Sequence, residues 1–200
     1  MNDLEVFNRT LFLQINGAAD TPVWLIQTAI GMADYLVYLI PVLLFGQWLW
    51  GNHEWRNLAI KACLVTLLAL GANQGIGLLW SHPRPFMIGL GHTWIPHAAD
   101  SSFPSDHMTV FAGIGLTLLF DGALGWAVVT LLTGLGVAWA RVFLGVHFPL
   151  DMAGAVGVVA VTYMAVTPLW RALGASVTDH VERLYRLILA RPIARGWIRG

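Results

Sequence analysis

Long apolar stretches separated by short polar turns dominate the chain. A membrane-spanning helix needs roughly 20 mostly apolar residues, because each residue advances about 1.5 Å across a hydrocarbon core about 30 Å thick. Five stretches approach or meet this length, the third being short and dependent on its flanks: residues 35–50, 58–80, 107–120, 124–140 and 151–170. The pattern predicts an all-α, integral membrane helical bundle with about five to six transmembrane helices.

The two ends of the chain are amphipathic instead of uniformly apolar. Near the start, Leu4, Phe7, Leu11 and Ile15 recur at helical spacing, which predicts a helix in the membrane interface within residues 1–20. Residues 21–33 are apolar but too short to cross alone, and the sequence leaves open whether they fuse with the next span. A stripe of apolar residues before Pro192 predicts a second surface helix in the basic tail, residues 171–200. We expect residues 1–200 to form a single membrane-embedded domain.

Composition agrees with this prediction and excludes several classes of protein. Hydrophobic residues make up 57% of the 200 residues and charged residues only 11%, against roughly 25% charged residues in soluble domains. Eleven basic residues balance eleven acidic ones, so no net positive field favours nucleic-acid binding. The lone Cys63 excludes an internal disulfide framework.

The distribution of basic residues predicts an orientation. If the five spans alternate, residues 81–104 and 141–150 share one face, and the tail shares the other face with residues 51–56 and the turn at Asp121. The tail holds six arginines, so the positive-inside rule places the C-terminus in the cytoplasm. Arg84 and Arg141 then remain on the outer face, where basic residues are disfavoured and need a local reason.

Three short polar stretches meet on that outer face, each at the end of a span. They are residues 82–86, 102–107 and 141–151. They gather two arginines, two histidines, a serine and an aspartate at one membrane depth, and intramembrane ionisable clusters are functional candidates by default. This composition predicts an anion-binding site with acid–base chemistry. The cluster comprises Arg84, Ser105, His107, Arg141, His147 and Asp151.

These stretches resemble the three motifs of the type 2 phosphatidic acid phosphatase superfamily. The third motif, Arg, five residues, His, three residues, Asp, matches in full at Arg141, His147 and Asp151. The second, Pro-Ser-Gly-His, has Asp106 in place of Gly, and the first has Gly77 where a Lys is expected. The Asp-containing second motif and the short layout look most like the bacitracin-resistance branch, the undecaprenyl pyrophosphate phosphatases.

The resemblance implies a role for each residue of the cluster. Arg84 and Arg141 would hold the phosphate, which suits planar guanidinium groups, and Ser105 would cap a helix whose free N–H groups face the same anion. His147 would be the nucleophile that forms a phosphohistidine, with Asp151 fixing its tautomer. His107 would protonate the departing oxygen.

The implied activity is removal of the terminal phosphate from undecaprenyl pyrophosphate at the periplasmic face of a bacterial inner membrane, without a metal or other cofactor and without nucleic acid. A glycerophospholipid phosphatase, acting on phosphatidylglycerol phosphate or phosphatidate, remains an alternative. So does a non-enzymatic carrier of anionic lipids. A metal site built from His82, His92, His97 and His107 is a further alternative, although their spacing matches no common ligand pattern.

Overall fold

Helices account for nearly all regular structure in residues 3–200, the part of the chain that the computed structural model describes. They are α1 (Asp3–Ile15), α2 (Val23–Tyr35), α3 (Leu39–Trp50), α4 (His53–Leu79), α5 (Asp106–Phe120), α6 (Leu124–Phe143), α7 (Pro149–Ile188) and α8 (Ala190–Ala194). Two 3₁₀ turns, Leu36–Tyr38 and Pro85–Ile88, complete the set, and no strand occurs within these residues. The predicted all-α membrane bundle is confirmed.

Four helical stretches are long and apolar enough to cross a membrane. They are Val23–Trp50, His53–Leu79, Leu124–Phe143 and Pro149–Ile188, and α5 is a shorter apolar helix of 15 residues. The first stretch answers the question that the sequence left open, because α2, the 3₁₀ turn and α3 form one continuous helical segment of 28 residues. Residues 21–33 therefore belong largely to the first span.

The separate surface helix expected in the tail does not form, because α7 continues without a break for 40 residues. Two contacts tie its extension to α4: Glu182 pairs with the buried Arg56 guanidinium at 3.3 Å, and the Thr178 hydroxyl accepts a hydrogen bond from the Asn57 amide at 2.9 Å. The helix ends at Ile188, and Pro192 lies inside the short α8. The change to a basic composition after residue 170 therefore does not mark the end of the helix.

Helix α5 lies at the centre of the bundle, packed against α4, α6 and α7. Its buried apolar side chains include Phe111, Ile114 and Leu118, each at most 1% exposed. Gly134 of α6 faces Phe111 so closely that an added Cβ would lie 2.6 Å from the Phe111 Cβ. Small residues at helix crossings allow such close approach in lipid.

We expect Gly134→Leu to destabilise the bundle by about 1–3 kcal/mol, because the added side chain overpacks the α5–α6 contact. The measurement is the apparent melting temperature of the purified protein in detergent. Gly125→Leu on the same helix is the matched control, since a Cβ there meets nothing within 4 Å. Equal melting temperatures for the two variants would contradict the proposed packing constraint.

The chain reversals divide the bundle into two ends. The end of α4, the start of α5, the end of α6 and the start of α7 meet at one end, which we call the pocket end. The opposite end, where α3 gives way to α4, α5 to α6, and the C-terminal residues pack, we call the tail end. There, the backbone N–H of Arg199 donates to the Leu49 carbonyl at 2.9 Å.

Candidate active site

A cavity of about 310 Å³ opens at the pocket end. Four of the six predicted site residues line it, namely Arg84, His107, Arg141 and His147. They come from the α4–α5 loop, α5, α6 and the α6–α7 turn, which are distant in sequence. Other lining residues include Asn73, Gln74, His97, Asp100 and Ser101. The cavity thus brings together two arginines and two histidines that the motifs singled out.

His147 is held from behind by Asp151, as the third motif predicts. Its Nδ1 lies 3.2 Å from the Asp151 Oδ2 and 3.0 Å from the Ser102 carbonyl oxygen, so a proton on Nδ1 has acceptors on this side. The same Oδ2 accepts hydrogen bonds from the Ser102 hydroxyl at 2.5 Å and the Phe148 N–H at 2.8 Å. Asp151 is only 1% exposed. The carboxylate is fixed by these contacts and in turn favours the tautomer that leaves Nε2 unprotonated.

Local backbone features place this pair. Pro149 occupies the first turn of α7, where the missing N–H costs no hydrogen bond, and the Asp151 carboxylate reaches back to the Phe148 N–H. Gly145 has φ +84° and packs against the His92 carbonyl, so a side chain there would be both strained and obstructed. These features restrict the backbone conformation of the turn before α7, and in this conformation His147 faces the cavity.

Burial lowers the pKa of His147 below its ordinary value near 6.5, and the charges of Arg84 and Arg141 act in the same direction. The hydrogen bond and charge of Asp151 oppose this shift without cancelling it. His147 is consequently neutral near neutral pH. A neutral imidazole with its proton on Nδ1 presents the Nε2 lone pair, which is what a nucleophile requires.

Arg84 is surrounded by protein acceptors. Its Nε donates to Asp100 Oδ1 at 2.8 Å, its Nη1 to the Val146 carbonyl at 2.9 Å, and its Nη2 to the Ser101 carbonyl at 3.2 Å. The Nη1 atom also lies 3.1 Å from the His147 Nε2. The guanidinium is therefore anchored on three sides and directed at the nitrogen that would attack phosphorus.

Arg141 makes fewer hydrogen bonds to the protein than Arg84 does. Its Nη2 lies 3.1 Å from the His97 Nε2, and its buried Nε has no hydrogen-bond partner within residues 3–200. Burial lowers the pKa of His97, although the hydrogen bond to the Ala98 carbonyl acts in the opposite direction. The Nε2 of a neutral His97 can accept a hydrogen bond from Arg141. Arg141 keeps further N–H groups for an anion in the cavity.

The start of α5 carries the second motif. Ser105 is fully buried and caps the helix through Met108 N–H, as predicted, but its side chain is not among those lining the cavity. His107 does line the cavity. Asp106 accepts hydrogen bonds from the Asn73 and Gln74 amides, at 2.9 Å and 3.3 Å. The carboxylate that replaces the motif's Gly is thus engaged by α4.

Gly77 stands where the first motif has a Lys, and it lines the cavity beside Ser101. An added Cβ at this position would come within 3.3 Å of the Ser101 Cβ. One turn earlier, Asn73 and Gln74 supply polar side chains to the same cavity. Asn73 shares a helix face with Gly77 at a spacing of four, a signal by which the sequence could have indicated it.

His97 and Asp100 also belong to the site; the sequence did not indicate Asp100, and it indicated His97 only as a member of the alternative metal site. His97 contacts Arg141, and its ring centroid lies 6.2 Å from that of His147. Their position between the first two motifs gives no spacing rule that would have found them. Within residues 3–200, no group of three or more His, Cys, Asp or Glu side chains could hold a metal, so the four-histidine metal site does not form.

The bundle and the cavity define the class of protein. A membrane helical bundle with two buried arginines around a carboxylate-supported histidine, near a helix N-terminus, provides what a phosphatase embedded in a membrane requires: positive donors for phosphate and a nucleophile beside them. The comparisons with known proteins agree. The PAP2 superfamily model matches residues 58–174, and the chain belongs to this superfamily.

Relatives over nearly the whole chain sharpen this assignment. A protein of Escherichia coli (strain K12) named undecaprenyl-diphosphatase YbjG is 36% identical over 196 residues, covering 98% of this chain and 99% of its own. Undecaprenyl-diphosphatase BcrC of Bacillus subtilis (strain 168) is 32% identical over 183 residues, covering 91% and 93%. The recognised superfamily and its bacitracin-resistance branch are confirmed.

Two solved structures share the fold. LpxE of Aquifex aeolicus aligns with a TM-score of 0.63 at 23% identity, covering 80% of this chain and 93% of that one. A transmembrane PAP2-type phosphatidylglycerolphosphate phosphatase from Bacillus subtilis aligns with a TM-score of 0.62 at 17% identity, covering 86% and 89%. At these identities the likeness concerns the arrangement of helices.

Proposed function

We propose that this protein removes the terminal phosphate from undecaprenyl pyrophosphate, leaving the lipid monophosphate. The observation that carries the proposal is the His147 imidazole, held by Asp151 on one side and facing Arg84 on the other, in a cavity at the end of a membrane bundle. Two relatives named undecaprenyl-diphosphatases support the polyprenyl substrate, because their similarity extends over at least 91% of the chain.

In the first step, the Nε2 lone pair of His147 attacks the terminal phosphorus and forms a P–N bond. The bond from that phosphorus to the bridging oxygen breaks, and its electron pair leaves with the lipid monophosphate. His107, which lines the same cavity, would donate a proton to the departing oxygen. Arg84 and Arg141 stabilise the charge on the equatorial oxygens of the transferring group.

In the second step, water attacks the phosphohistidine. His107, now deprotonated, would take a proton from the water as the P–N bond breaks and inorganic phosphate forms. The proton on the Nδ1 of His147 remains directed at Asp151 and the Ser102 carbonyl through both steps. The developing positive charge on the imidazole is thereby stabilised next to a buried carboxylate. Positive charge on the phosphate side comes from the guanidinium groups and the α5 N-terminus, so the mechanism uses no cofactor.

The proposal includes an orientation in the bacterial inner membrane, with the cavity facing the periplasm and the C-terminus in the cytoplasm. Charge bias supports this arrangement. Arg56 and Lys61 lie near the tail end, and the residues after 170 add arginines at positions 171, 183, 186, 191, 195 and 199. Retention of basic residues on the cytoplasmic side accounts for this distribution.

The testing experiment compares phosphate release by the purified protein from polyprenyl diphosphate, polyprenyl monophosphate and phosphatidylglycerol phosphate or phosphatidate, presented in identical mixed micelles. We expect the highest kcat/KM with the polyprenyl diphosphate. Faster turnover of a glycerophospholipid would contradict the proposed substrate and favour the alternative function, a glycerophospholipid phosphatase. Absence of turnover on every substrate, together with transport of anionic lipid between vesicles, would favour a carrier instead of an enzyme.

A further inference from the structure

The two arginines of the cavity are held in different ways, and this difference is not contained in the three motifs. Arg84 donates to three protein oxygen atoms and approaches His147, whereas Arg141 contacts one imidazole and has a buried Nε without a partner in the described chain. An arginine fixed before substrate arrives loses little freedom when the reaction begins. An arginine with open donors is suited to capturing the incoming phosphate.

Asp100 supplies the side-chain part of the Arg84 anchor. The other two acceptors, on Ser101 and Val146, are backbone carbonyls. The Arg84 side chain is 6% exposed, while that of Asp100 is 61% exposed, so the carboxylate reaches from the loop surface to a buried guanidinium. Partial burial alone raises the pKa of Asp100, but the hydrogen bond and charge of Arg84 bring that pKa below its ordinary value. The carboxylate is therefore ionised at neutral pH.

We propose that Asp100 is a positioning residue that holds the Arg84 guanidinium against the His147 Nε2, so that Arg84 stabilises the transferring phosphoryl group while Arg141 captures the substrate. The inference rests on the proposed phosphatase function and adds to it a division of labour between the arginines. The contact at Nε is the one side-chain contact among the three that hold the plane of the guanidinium, and Nη1 in that plane lies 3.1 Å from the nucleophilic nitrogen.

This arrangement has a kinetic consequence. An interaction made mainly in the transition state changes kcat, whereas one made equally with bound substrate changes KM. Loss of Asp100 should consequently lower kcat and leave KM nearly unchanged, and loss of the Arg141 guanidinium should raise KM.

The test is a double-mutant cycle on purified full-length protein, with Asp100→Ala, Arg84→Lys and the double variant. We expect Asp100→Ala to lower kcat about 10- to 100-fold, since a small misplacement of a positioned group has effects of this size, with KM changed less than about threefold. In the Arg84→Lys background, Asp100→Ala should lower kcat by less than about threefold, because the guanidinium that Asp100 positions is already absent. Asp100→Asn, which keeps an oxygen acceptor, should recover part of the lost rate.

Asp20→Asn is the control for surface charge, because Asp20 lies in the turn before α2 at the pocket end and outside the cavity lining. It should retain the parental kcat and KM. A loss for Asp100→Ala that lies in KM, or a loss of equal size with and without the Arg84 guanidinium, would overturn the positioning role. Melting temperatures of all variants separate these effects from unfolding.

The two proposals fail in distinguishable ways. In the double-mutant cycle, the kcat and KM of each variant are divided by those of the parental protein. The substrate is whichever phosphorylated lipid the parental protein hydrolyses fastest. A preference for a glycerophospholipid would contradict the proposed substrate and leave the Asp100 ratio meaningful. Parental turnover of undecaprenyl pyrophosphate with additive Asp100 and Arg84 effects would support the function and refute the positioning role.

Discussion

His147→Gln is expected to lower phosphate release by about 10⁴-fold or more, because glutamine has no lone-pair nitrogen with which to form a covalent intermediate. Glutamine keeps a polar group of similar reach in a position that is only 2% exposed, so the fold should survive. The measurement pairs steady-state phosphate release with trapping of labelled phosphate on the protein by an alkaline quench. The parental protein should carry acid-labile, base-stable label, and the variant none.

His92→Gln is the matched control for this variant. His92 belongs to the α4–α5 loop, which also lies at the pocket end. Its backbone N–H donates to Asn16, and its side chain does not line the cavity. It should retain parental turnover and labelling. If the His147 variant released phosphate at the parental rate, or if label still appeared on the protein, another group would have to be the nucleophile.

Asp151→Asn is expected to lower kcat by about 10³- to 10⁴-fold, by analogy with the loss of the carboxylate in other His–Asp pairs. The amide would present an N–H donor to some of the atoms that now donate to Oδ2. The Nδ1 proton of His147 would keep the Ser102 carbonyl as an acceptor but lose the charged one. The nucleophilic nitrogen would then be protonated in part of the molecules. Ser102→Ala removes a different hydrogen bond to the same oxygen and should have a much smaller effect.

The pH profile gives this variant a second signature. Since His147 must be neutral to attack, kcat/KM should fall as the pH drops through the pKa of His147, which burial holds below its ordinary value near 6.5. Asp151 raises that pKa through its hydrogen bond and its charge. Removal of the carboxylate lowers the pKa further, so the acid limb of the residual activity should move to lower pH. The ionisation of the substrate affects the pH profiles of the parental protein and of the variant equally, so it does not account for a difference between them. An acid limb that stays in place or moves to higher pH in the variant would contradict the assignment of His147.

Bilayer thickness explains why the spans could be predicted and the helix ends could not. A stretch such as His53–Leu79 is evident because crossing the hydrocarbon core demands a long apolar run. The continuation of α7 past residue 170 was missed because composition reports the boundary of the membrane, whereas the helix is extended by buried contacts such as that of Glu182 with Arg56. Long-range pairing of this kind leaves no periodic trace in the sequence.

The candidate site shows the same division between local and long-range information. The motif spacing led to His147 and Asp151, which lie four residues apart across the start of α7, so their contact follows from local geometry. Asp100 reaches Arg84 only through the path of an irregular loop, and His97 of the same loop contacts Arg141 of α6, 44 residues further along the chain. No pattern of apolar and polar residues encodes these approaches.

The length of α5 also determines how far a lipid must travel to react. Its 15 residues extend over only about 22 Å, against a hydrocarbon core about 30 Å thick. If the Phe120 end of α5 lies at one membrane surface, we expect the Asp106 end and the cavity to lie several ångströms below the opposite surface. A substrate head group can therefore sink to the reacting nitrogen while its hydrocarbon chain stays in the bilayer, and no extraction of the lipid into water is required.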